Sequence, residues 1–79
     1  MKLSELAAGD TAEIVSVQCG EALAERLKTL NVSTGKIVKV LRLAPFRGGE
    51  MLEAEGVRLA IRRSLAEKVI VRRTEGERR

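Results

Sequence analysis

The chain has no histidine, tryptophan or tyrosine, and only one cysteine, one proline and one phenylalanine among its 79 residues. Without histidine, the side chain that most readily moves protons near neutral pH is missing. Cys19 lies between uncharged Gln18 and Gly20, with nothing beside it in sequence to draw out a thiolate, and reads as a structural thiol. Transition metals favour imidazole and thiolate, and a single such side chain cannot build a site. Glu53 and Glu55 share a strand face but read as exposed charges. These absences leave no catalytic residue, no cofactor and no metal site to assign. A lone cysteine also rules out an intramolecular disulfide and points to a reducing compartment.

The shortage of aromatics excludes more. Stacking platforms for single-stranded nucleic acid and grooves for proline-rich peptides are both lined with aromatic rings, and here only Phe46 is available. No run of apolar residues approaches the length that spans a bilayer. Glu5 and Asp10 interrupt the start, MKLSELAAGD, so no secretion signal is read and a cytoplasmic location is expected. Thr34-Gly35-Lys36 has the look of a phosphate loop, but Leu30 stands where the upstream glycine belongs and Ile37 where a hydroxyl should follow.

What is present fits one small folded domain. The composition is 44% hydrophobic and 33% charged, typical of a globular chain. The net charge of +4 is uneven: residues 72–79 carry four Arg against two Glu, leaving the body nearly balanced. The end of the chain therefore reads as a solvated basic tail.

Alternation marks residues 12–18, with Ala12, Ile14 and Ser16 on one face, as a strand. Residues 21–30 form the clearest helix, with Leu23, Leu27 and Leu30 in one stripe that should pack on a sheet. Asn31 sits where that helix must stop, a place suited to a left-handed residue. Gly35 turns the chain into a strand over 36–43, and a loop at 45–49 leads to a short strand over 51–55. Gly56 then reverses it into Val57–Arg62, where Val57, Leu59 and Ile61 point inward. Ser64 and Glu67 have capping-box spacing for one helical turn, and Val69–Val71 closes as a last strand. The expected fold is mainly β: a small barrel of about five strands, closed to remove its edges, with the helix plugging one end.

The ordered succession is more specific than any fragment. Leu3, Leu6 and Gly9 precede Ala12-x-Ile14, and Leu23-x-x-Arg26-Leu27-x-x-Leu30 follows. Then come Gly35-x-x-Val38-x-Val40, Ala44-Pro45, Gly56-x-x-Leu59-Ala60-x-Arg62 and Ala66-x-x-Val69-x-Val71. This pattern resembles the FeoA-type ferrous iron transport proteins over residues 1–73, with 74–79 as a charged tail. Asn31 and Thr34 stand where the family commonly has Gly and Pro, and both suit the backbone expected there.

The resemblance implies an SH3-like barrel with an inserted helix. It implies a cytosolic accessory that binds and modulates the GTPase-containing part of FeoB, the ferrous iron transporter, and meets the membrane only through it. The family is also associated with transition metal ion binding, for which this chain shows no evident site. The module is similar to the C-terminal domain of iron-dependent repressors, but no helix-turn-helix is read before it here, so a stand-alone accessory is expected.

Two regions are candidates for partner binding. Pro45, Phe46 and Arg47 form a loop around the sole aromatic. Ile37, Leu41 and Leu43 make a second apolar face on the strand whose Val38 and Val40 point inward; the helix, a second copy or a partner must cover that face. The competing readings are a small barrel that binds RNA or DNA through Arg58, Arg62 and Arg63, and a generic oligomerising domain. No nucleic-acid partner is expected.

Overall fold

The computed structural model describes residues 1–45 and 48–74. A 3₁₀ turn at Leu3–Glu5 comes first, followed by β1 (Thr11–Val17), α1 (Glu21–Lys28), β2 (Ile37–Leu43) and β3 (Glu50–Ala54). Then come β4 (Val57–Ile61), the single-turn α2 (Arg63–Ala66) and β5 (Val69–Arg73). The five strands form one antiparallel sheet in the order β4-β3-β2-β1-β5.

Alternation puts the core on one face of every strand. Ala12 and Ile14 of β1, Val38 and Val40 of β2, and Leu52 and Ala54 of β3 are buried together with Ile61, Val69 and Val71. Two bulges interrupt this pattern. The β1–β5 register shifts between Ile14 and Ser16, and the β2–β3 register between Val40 and Arg42. Val15 and Leu41 are the extra residues at these shifts, Val15 exposed and Leu41 half-buried. The β3–β4 hairpin turns through Glu55 and Gly56 at φ 51° and 88°. Two consecutive positive φ angles are what a two-residue hairpin needs to match strand twist, and Gly at the second supplies one without strain.

The helix packs differently from the expectation. Of its leucine stripe only Leu27 is buried; Leu23 and Leu30 remain 36% and 39% exposed. The reason lies just after the helix. Val32 returns to the core at 0% exposure, its N–H donating to the Leu27 carbonyl at 2.9 Å, and Asn31 makes that return with φ 67°. Leu27 and Val32 fill the site, so the rest of the stripe stays outside. Leu3 and Leu6, both buried, join the core from the first turn, which packs on β5 and α2. At α2, Arg62 rather than Ser64 is the N-cap and no side chain caps the turn, so the capping-box reading fails.

The barrel does not close by pairing β4 with β5, contrary to the expectation that closure removes the edges. The β5 edge is covered instead by the start of the chain. Val71 N–H donates to the Met1 carbonyl at 2.7 Å, and Lys2 bridges to Ile70. Among the described residues the β4 edge pairs with nothing.

Candidate interaction surface

The end of β2, the segment after it and the facing ends of β3 and β4 enclose a cleft of about 520 Å³. Its apolar lining includes Leu43, Pro45, Met51 and Ala60, with Arg42, Arg62 and the carboxyl-bearing Glu50 as its ionisable residues. Strand register builds the floor: Arg42 lies opposite Met51, and Met51 opposite Ala60. Gly49 sets the wall. With φ 128°, it passes so close to β4 that an added Cβ would lie 2.4 Å from the Ile61 carbonyl oxygen. Any side chain at that position would push the segment off β4 and open the cleft.

The predicted residues separate into two places. Leu43, 47% exposed, and Pro45 line the cleft; Phe46 and Arg47 lie outside the described residues. Ile37, 43% exposed, sits at the opposite end of β2 over a shallow depression with Thr11, Lys39 and Glu53. Leu41 falls at the bulge between them. The second face of β2 is thus not one patch, and α1 does not cover it as one of the expectations required: α1 makes little contact with β2.

Glu50 is the residue that sequence reasoning missed. It occupies an inward position in line with Leu52 and Ala54 and is only 5% exposed. Its Oε1 has no hydrogen-bond partner among the described residues. Burial pushes its carboxyl up from 4.5 to about 7, opposed by the nearby Arg63 guanidinium. With Ser4 and Arg63 it borders a small opening of about 140 Å³ beside the larger cleft. The signal was available: extending the Leu52/Ala54 alternation back by one step makes Glu50 a core position.

Among the described residues no three His, Cys, Asp or Glu side chains gather as a metal cage would require, and no helix is long and apolar enough to cross a membrane. The described ion pairs use Lys36, Arg63, Arg72 and Arg73, with Arg72 and Arg73 held to Glu13 and Asp10 across the sheet. Arg42, Arg58 and Arg62 take part in none of them.

Comparison with known proteins agrees with this picture. The FeoA domain model matches residues 1–73. The solution structure of FeoA from Chlorobium tepidum is 42% identical, with a TM-score of 0.90 over 96% of this chain and 72% of that one. A crystal structure of an iron uptake regulatory protein, FeoA, is 31% identical, with a TM-score of 0.84 over 94% of this chain and 97% of that one. FeoA from Stenotrophomonas maltophilia, a prokaryotic SH3-domain protein solved in complex with zinc, is 33% identical. Its TM-score is 0.77 over 91% of this chain and 89% of that one. A search of curated proteins returned no match. The fold is SH3-like, and the chain belongs to the FeoA family of ferrous iron transport proteins.

Proposed function

We propose that this protein is a cytoplasmic accessory of ferrous iron uptake that binds the GTPase-containing cytosolic part of a FeoB-type transporter and modulates it, catalysing no reaction itself. The observation that carries the reading is the FeoA match across residues 1–73, in a chain that presents a cleft with a largely apolar lining and Arg42 and Arg62 beside it. A protein without reactive groups changes its partner by binding one of the partner's states better than another. Leu43 and Pro45, with Phe46 and Arg47 in the same stretch of sequence, are the contacts proposed at the cleft. Ile37 and Leu41 belong to a second, separate contact. Residues 1–73 act as the module and 74–79 as its charged tail.

Titration of the transporter's cytosolic part at physiological salt tests this. Binding in the micromolar range, roughly −8 kcal/mol, is expected, with no comparable affinity for a generic RNA. Tight RNA binding that weakens steeply with salt, without association with the transporter, would overturn the reading in favour of a nucleic-acid-binding barrel.

A further inference from the structure

The two faces of the open strand differ in chemistry. On the inward side Val57 and Leu59 are only half-buried, although Leu59 packs against the core. On the outward side Arg58 and Arg62 are exposed and outside the described ion pairs, even though Glu53 lies directly opposite Arg58. Backbone groups follow the same logic. In a two-residue hairpin the closing residues, here Ala54 and Val57, form a hydrogen-bonded pair. The register then turns the N–H and C=O groups of Val57, Leu59 and Ile61 toward β3, leaving those of Arg58 and Ala60 pointing outward from the sheet.

We infer that β4 is a docking edge for an extended segment of alternating apolar and acidic residues, which adds to the sheet as a sixth strand. Its apolar residues would complete the cover over Val57 and Leu59, its carboxylates would meet Arg58 and Arg62, and its backbone would pair with Arg58 and Ala60. The cleft bordered by Met51, Ala60 and Arg62 extends this surface past the end of the strand. A second copy is the wrong occupant, because pairing two β4 edges would bring the guanidiniums of Arg58 and Arg62 from both copies to one seam. Basic residues on an edge deter such self-pairing while leaving it open to an acidic strand. The inference stands apart from the transporter reading, since the probe is a synthetic peptide.

The test is a titration of the isotopically labelled protein with a capped, short peptide of alternating valine and glutamate, followed by amide exchange. Slowed exchange at the Arg58 and Ala60 amides is expected, with Arg58→Glu/Arg62→Glu weakening binding on the order of tenfold or more. A peptide N-methylated on the paired edge, with charge and side chains unchanged, should lose the protection, and this control leaves the protein untouched. Unchanged exchange at Arg58 and Ala60 would overturn the inference. So would equal binding of the N-methylated peptide, or preferential binding of a single-stranded RNA to the same residues.

Discussion

The two edges of one sheet are finished in opposite ways. At the β5 edge, Val69 and Val71 are buried, Met1 and Lys2 complete the backbone pairing, and Arg72 and Arg73 hold carboxylates on the β1 side. At the β4 edge, Val57 and Leu59 are half-buried, Arg58 joins no ion pair among the described residues, and the neighbouring strand begins at a buried carboxylate. Burial makes the first edge stable. The second gives up some of that stability to keep apolar surface, charge and backbone groups available. The proposed function fits this division: an accessory that acts by binding needs one side to hold the fold and another to meet its partner.

The largest effect should come from the closed side. Leu3 is wholly buried between the first turn, β5 and α2, and Leu3→Ala should cost about 2–5 kcal/mol in urea unfolding. Leu59→Ala, on the open edge, should cost well under half as much. Equal costs would erase the distinction between the edges.

Glu50 offers a finer probe, because it sits on the open side. Its carboxyl is raised to about 7 in the fold from 4.5, so the unfolded chain gives up this proton more readily than the folded one. The protonated acid carries no penalty below about pH 4.5; stability falls as pH rises from there through about 7 and levels off above it. Glu50→Gln cannot ionise. Relative to the parent it should gain stability over that window, reaching on the order of 3 kcal/mol at the alkaline end. Thermal melts of both proteins from pH ~4 to ~8 measure the difference. A gap that does not widen with pH would mean that the carboxyl is solvated in the folded protein.

Much of this architecture was legible in the sequence where a residue's period alone determines its place. Val38 and Val40, Ile61, and the turns at Asn31 and Gly56 stand where alternation and backbone preference put them. Two failures share one cause: periodicity tells which side of an element a residue faces, but not what fills the space there. The leucine stripe of α1 was read as core, yet Leu27 and Val32 occupy the volume and leave Leu23 and Leu30 outside. The apolar second face of β2 was read as one surface, but the bulge at Leu41 separates Ile37 from Leu43. Glu50 falls just outside the strand expected over 51–55, so its place in the Leu52/Ala54 alternation went unread, whereas the strand in fact begins at Glu50.

Residue-resolved mapping of the complex with the transporter's cytosolic part tests the division between the edges most directly. Amide shifts should concentrate at Leu43, Gly49 and Ala60 around the cleft and at Ile37 and Leu41, and leave Val69–Arg73 and Met1–Lys2 unchanged. Shifts centred on the β5 edge, with the cleft and β4 silent, would contradict the account.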